Sequence, residues 1–223
     1  MRERPSRLAL YTVDAVLVTA MGNELAILLG RNSSDRERWS LPWRIPQTGE
    51  TLDAAAATTA RDALGELPSW MEQIGAFGDG KRHPSEADVS VAYVGLVPHQ
   101  TASPRDGHTW FPVANPPLLA PRQRAMVDGA TKTLQSSLDQ APIAFRLLPA
   151  TFTLSELQQM YELLLGKRLH KASFRRALQA AWLVEPMDEW RSEGRGRPAQ
   201  LFRYLPKKKR RPHRGVRFDF LYP

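Results

Sequence analysis

The chain contains no cysteine. That excludes a disulfide framework, a thiolate metal site and a cysteine nucleophile, and it fits a reducing compartment. Long apolar runs are missing too: no stretch approaches the roughly 18 uncharged apolar residues a membrane helix needs, so no membrane association is expected. The first residues, MRERPSRLALYTVDAVLV, carry early arginines, but Asp14 interrupts the apolar stretch and no small-residue cleavage site follows. No secretory signal is readable there, and a cytoplasmic location is expected. The five histidines, His83, His99, His108, His170 and His213, show neither H-x(3)-H nor H-E-x-x-H spacing. No zinc site is therefore expected.

What is present is a chain of 223 residues, 42% apolar and 24% charged, too long for one small domain and too short for three. Its 31 basic side chains outnumber its 23 acidic ones, but not evenly along the sequence. Residues 1–140 hold 14 basic and 16 acidic groups, whereas residues 141–223 hold 17 and 7. The positive excess therefore belongs to the last third. Such asymmetry points to a separate module facing a polyanion, because basic side chains that neutralise phosphates release condensed counterions. A solvated basic tail accounts for the bare charge equally well.

In residues 1–140 the pattern is α+β. Leu8 to Thr19 and Glu24 to Leu29 read as a β-hairpin about the Met21-Gly22-Asn23 turn. After a polar loop from Arg31 to Arg38, a helix is expected behind Thr51 as N-cap, with Asp53 at the positive end of its dipole and Gly65 as its stop. MEQIGAFGD and ADVSVAYVGLVP read as strands about the loop GDGKRHPSEA, and Pro121 to Leu138 as a second helix.

Residues 141–206 read differently. Thr153 followed by Glu156 is a capping box, and Leu154, Leu157, Met160, Tyr161 and Leu164 form an apolar stripe ending at Gly166. A second helix from about Lys171 to Trp182 places Phe174, Ala177, Leu178 and Ala181 inward, leaving Lys171, Arg175, Arg176 and Gln179 outward. MDEW and LFRYLP are strand candidates around SEGRGRPAQ, a loop of wing length. Helix, turn, helix, two strands and a basic wing make a winged helix-turn-helix. In that fold the second helix enters the major groove, and wing arginines such as Arg195 and Arg197 reach phosphate or minor groove. Ser173 lies on the leading turn of the same helix. Residues 207–223, KKKRRPHRGVRFDFLYP, form a basic C-terminal tail with an apolar end.

Leu41 to Glu66 resembles the Nudix box, G-x(5)-E-x(7)-R-E-U-x-E-E-x-G-U. Arg44 stands for the first Gly and Glu50 for the first Glu, followed by Thr58, Thr59, Ala60, Asp62, Ala63 and Gly65. The frame is kept while the chemistry is mostly lost. In the family the E-x-x-E-E carboxylates converge on one helical face to bind Mg²⁺; this chain offers Thr59, Asp62 and Ala63. The Arg position is Thr58, and Trp43 and Arg44 replace the loop glycines. No catalytic residue, metal or cofactor is expected. A diphosphate can be neutralised by guanidinium groups instead, with Arg31, Arg44, Arg61 and Arg82 as candidates and Trp39, Trp43 and Phe77 as stacking surfaces. Glu50 is retained as a candidate ligand-site residue.

A Nudix-like α/β/α sandwich followed by a winged helix is similar to the NrtR family of bacterial Nudix-related regulators. The likeness runs from about Leu10 to Tyr204 and is densest in TVDAVL, MEQIGAFGD, SVAY, PIAFRLLP, FTLSELQQMYELLLGK, FRRAL and GRGRPAQLFRY. It implies a homodimeric repressor on palindromic operator DNA near NAD biosynthesis or salvage genes. The N-terminal domain would sense ADP-ribose or a related NAD-derived nucleotide. The competing expectation is a Nudix hydrolase of ADP-ribose or another nucleoside diphosphate with an accessory domain.

Overall fold

Alternating and β-branched residues make the N-terminal segment a strand, and its burial on both sides makes it the centre of a sheet. In the computed structural model, which describes residues 10–31, 39–78, 80–98, 103–192 and 198–206, β1 (Tyr11–Met21) is buried at every position from Thr12 to Ala20. It turns through Gly22, at φ 60°, and Asn23 into β2 (Glu24–Arg31), the positive φ that a two-residue hairpin turn demands. The expected start of β1 at Leu8 and the loop residues 32–38 lie outside the described residues.

The sheet continues through β3 (Trp39–Ser40), β4 (Trp43–Arg44), β5 (Trp70–Phe77), β6 (Val89–Leu96) and β7 (His108–Pro112). Its order is β3-β2-β1-β6-β5, with β4 on β1 and β7 on β2. Helix α1 (Leu52–Leu64) interrupts β4 and β5. The Thr51 side chain accepts the Ala54 N–H at its start, and Gly65, at φ 83°, sends its N–H back to the Arg61 carbonyl at its end. Ala55 and Ala56 let α1 lie close to the sheet, where they bury against Val13 and Tyr93. The Tyr93 hydroxyl donates to Asp53 at 2.6 Å, and burial together with that carboxylate pushes the phenol up to about 12. Helix α2 (Pro121–Ser137) opens on a proline, which suits a first helical position, and buries Met126, Val127, Ala130 and Leu134.

Within the described residues the chain packs as two compact units. One holds residues 10–18, 27–95 and 103–130; the other holds 19–26, 96–98 and 131–206. In the second, a 3-10 turn (Ile143–Leu147) leads to β8 (Thr151–Phe152), α3 (Leu154–Leu165), α4 (Lys171–Ala181), β9 (Val184–Arg191) and β10 (Ala199–Tyr204). The strands form an antiparallel sheet in the order β8-β10-β9. Both halves of the capping box form: the Glu156 N–H reaches the Thr153 hydroxyl at 3.2 Å, and the Thr153 N–H reaches the Glu156 carboxylate at 2.6 Å. An aromatic cluster fills the core, with Phe145 against Phe152, Tyr161 and Tyr204, and Tyr161 edge-on to Phe174 at 5.4 Å. No helix among the described residues is long and apolar enough to cross a membrane.

Candidate functional site

Two features of the chain carry chemistry. The first is a cleft of about 390 Å³ where β2, the β3–β4 turn, α1 and β7 meet. Arg31 and Arg44 line it, together with Trp43, Thr59, Asp62, Ala63 and His108. Arg31 pairs with Trp39 across β2 and β3, and its guanidinium lies 5.3 Å from the Trp39 ring centre, a cation–π contact. Trp39 in turn meets Phe111 edge-on at 4.7 Å. Arg44 is held opposite Val13 on β1, and its guanidinium is 3.9 Å from Glu50. Glu50 also closes its own loop, accepting the Gln47 N–H at 2.8 Å.

The other sequence candidates fall elsewhere. Arg61 and Arg82 are exposed and do not line the cleft. Phe77 packs against Gly129 of α2, where an added Cβ would come within 3.3 Å of its ring. His108, which no sequence pattern singled out for this site, enters the cleft on β7. It presses so closely on Gly30 that a Cβ there would meet its Nε2 at 2.8 Å, so the glycine is required by approach rather than by a turn. The buried Nδ1 of His108 has no hydrogen-bond partner among the described residues, an unusual state for a buried ring nitrogen.

The cleft's donor set fits a Nudix metal poorly. At the positions of the family's carboxylate run, the Thr59 hydroxyl is spent on the Ala55 carbonyl at 2.8 Å and Ala63 offers no ligand. Thr58 likewise bonds back to Ala54 at 2.9 Å. Asp62 is the one carboxylate lining the cleft, whereas Mg²⁺ sites ordinarily combine near-octahedral oxygen ligation with carboxylates and substrate phosphates. Among the described residues no group of three His, Asp or Glu converges as a metal site.

The second feature is the face of α4. Phe174 and Leu178 are buried against the core, which turns Lys171, Arg175, Arg176 and Gln179 outward, all exposed. Ser173 is half-buried, its hydroxyl 3.2 Å from Nδ1 of His170, the N-cap residue. The turn between α3 and α4 is organised by Glu162. Its carboxylate accepts from the Leu169 N–H and the Gln158 amide, both at 2.9 Å, and from Arg168 at 3.0 Å. Burial alone would raise this carboxyl; those three bonds outweigh it and hold the group below its usual range. The turn thus fixes the start of α4. In the β9–β10 hairpin, Arg191 is tied back to Glu156 at 2.7 Å, while the neighbouring Trp190 is exposed. The wing arginines Arg195 and Arg197, and the tail from Lys207 to Arg211, lie outside the described residues.

A mixed α/β domain bearing a Nudix-type loop and helix, carried on the same chain as a winged helix with a basic recognition helix, defines a class: the Nudix-related winged-helix proteins. Residues 144–204 match the family described as the NrtR DNA-binding winged helix domain. Across most of its length the chain is similar to a curated protein of Acinetobacter baylyi, the ADPR responsive transcriptional repressor NtrR. The two are 29% identical over 205 residues, 87% of this chain and 82% of that one. It is similar also to the crystal structure of Shewanella oneidensis NrtR complexed with a 27mer DNA, at 29% identity and a TM-score of 0.78, covering 87% of this chain and 93% of that one. The NUDIX domain of the Shewanella protein, in complex with ADP ribose, matches at 25% identity and a TM-score of 0.50, over 57% of this chain and 90% of that one. Residues 144–204 thus carry an NrtR-type winged helix, and across most of its length the chain is similar to NrtR proteins.

Proposed function

We propose that this chain is a DNA-binding transcriptional repressor of NAD biosynthesis or salvage genes, and that its Nudix-like domain binds ADP-ribose or a related NAD-derived nucleotide without hydrolysing it. The observation that carries the reading is the exposed cationic face of α4 inside a matched winged helix domain. Lys171, Ser173, Arg175, Arg176 and Gln179 approach the major groove, and Arg195 and Arg197 the backbone or minor groove. A single winged helix reads only a few base pairs, so a two-fold dimer on a palindrome with half-sites about one or two helical turns apart follows.

In the cleft, Arg31 and Arg44 supply the charge a diphosphate needs, with Glu50 steadying Arg44. The Trp43 ring offers a stacking surface. Chemistry is absent because Thr59 and Ala63 cannot supply the anionic oxygens that hold a dication against the diphosphate. Ligand binding and operator binding are coupled, and by linkage each must weaken the other by the same factor.

Calorimetry and gel-shift titration across ADP-ribose, NAD, nicotinamide mononucleotide and pentoses test the reading. ADP-ribose is expected to bind in the micromolar range and to release DNA. If no nucleotide binds below millimolar concentration, the sensing half of the proposal is wrong.

A further inference from the structure

A buried polar network stands directly behind the cleft, and none of its own side chains lines that cleft. At its centre is Asp14, wholly buried in the middle of β1. Three donors converge on its carboxylate: the Thr12 hydroxyl at 2.8 Å, His83 Nε2 at 2.8 Å and the Gln123 amide at 3.2 Å. His83 is itself buried, and its other nitrogen takes the Ser85 N–H at 3.1 Å and the Ser85 hydroxyl at 2.6 Å. Those two contacts place the ring proton on Nε2, facing Asp14. A carboxylate at a core position is costly unless its bonds are satisfied, and an apolar residue would serve packing better. Here every donor comes from a different stretch of chain.

What the network holds is the Leu41–Arg44 wall of the cleft. Gln123 accepts the Leu41 N–H at 3.1 Å and its amide lies 3.5 Å from the Leu41 carbonyl. Trp43 is the cross-strand partner of Asp14, and Arg44 that of Val13. The Trp43 ring meets the His83 ring edge-on at 5.4 Å. One side chain thus grips the backbone at the start of the wall, and another supports the ring that lines it. We infer that Gln123 and His83, joined through Asp14, are positioning residues that set where the Trp43 ring and the Arg44 guanidinium stand, and so tune the affinity of the cleft for a diphosphate-bearing nucleotide. The inference rests on the reading of that cleft as the nucleotide site.

The test uses the full chain with Gln123→Ala, His83→Ala and His83→Gln. Three quantities are measured: hydrogen exchange of the Leu41, Trp43 and Arg44 amides, which needs no ligand, ADP-ribose affinity by calorimetry, and operator affinity without nucleotide. Gln123→Ala should speed exchange at Leu41 at least tenfold and weaken ADP-ribose binding at least tenfold, while operator affinity without nucleotide stays within twofold. His83→Gln, which keeps an N–H donor toward Asp14, should recover most of the affinity lost in His83→Ala; a generic packing defect would not be rescued in that way. Unchanged exchange at Leu41 in folded Gln123→Ala overturns the inference, as does faster exchange with ADP-ribose affinity intact. Should Gln123→Ala fail to fold, the His83 pair decides by exchange and ADP-ribose affinity. Failure of the wild-type chain to bind ADP-ribose would remove the functional reading alone, and the exchange data would still decide whether the network positions the wall.

Discussion

Arg175→Ala and Arg176→Ala separate DNA recognition from generic charge attraction. Both side chains are exposed on α4, and among the described residues neither has an ion-pair partner. Alanine is the better helix former, so either change should alter folding stability by no more than about 0.5 kcal/mol. A loss of DNA affinity then reports the contact itself. If the guanidinium reaches base edges or the adjoining phosphates, the loss on operator DNA should be roughly 1 to 3 kcal/mol, or about 5- to 150-fold. A base contact lowers the ratio of operator to scrambled-duplex affinity; a phosphate contact leaves that ratio alone and reduces the salt slope by about one. Removal of residues 207–223 should weaken all sequences alike. The assay is fluorescence anisotropy on both duplexes at several salt concentrations, with Arg195→Ala as the wing comparison. If Arg175→Ala and Arg195→Ala keep the operator preference while tail removal abolishes it, the recognition role of α4 is wrong.

Thr153→Ala removes one half of the capping box on α3 and should cost about 1 kcal/mol of unfolding free energy, seen as a lower urea midpoint at unchanged slope. The Glu162 carboxyl is lowered in the folded chain, so its stabilising contribution is present in full above the ordinary value of 4.5 and is lost as pH falls through the lower folded value. The stability gap between wild type and Glu162→Gln should therefore be open at pH 7 and close on acidification below 4.5; a gap that persists at the acid end contradicts the bonding described. Incubation with Mg²⁺ or Mn²⁺ and a nucleoside diphosphate panel should give no product above background, and release abolished by Glu50→Gln or Asp62→Asn would restore the hydrolase reading.

Local signals were legible because their physics is local. Thr51 and Gly65 bound α1, Thr153 and Glu156 close a capping box, and Gly166 ends α3 as the sequence suggests. The outward set Lys171, Arg175, Arg176 and Gln179 follows directly from helical periodicity. Elements that depend on distant partners were not legible. Strands β3, β4 and β8 have two residues each, too few to show a period. Strand β7 is recognisable only through its pairing with β2, which delivers His108 to Gly30. Asp14 looked like a break in an apolar run; its partners His83 and Gln123 lie 69 and 109 residues away. The one available signal was a charged residue in a strand otherwise fit for burial, and that marks a paired site without naming its partners.

Nucleotide binding in the Arg31–Arg44 cleft is expected to release DNA from α4 of the same chain. Its most direct test is to hold the protein on a labelled operator, recovered by selection from genomic fragments, and titrate ADP-ribose while following anisotropy, for wild type and Arg44→Ala. Wild type should let go with a midpoint that tracks its calorimetric affinity for ADP-ribose, and Arg44→Ala, still bound to operator, should need at least tenfold more. A wild-type complex that persists at millimolar ADP-ribose, or an Arg44→Ala complex released at the same concentration as wild type, would contradict this expectation.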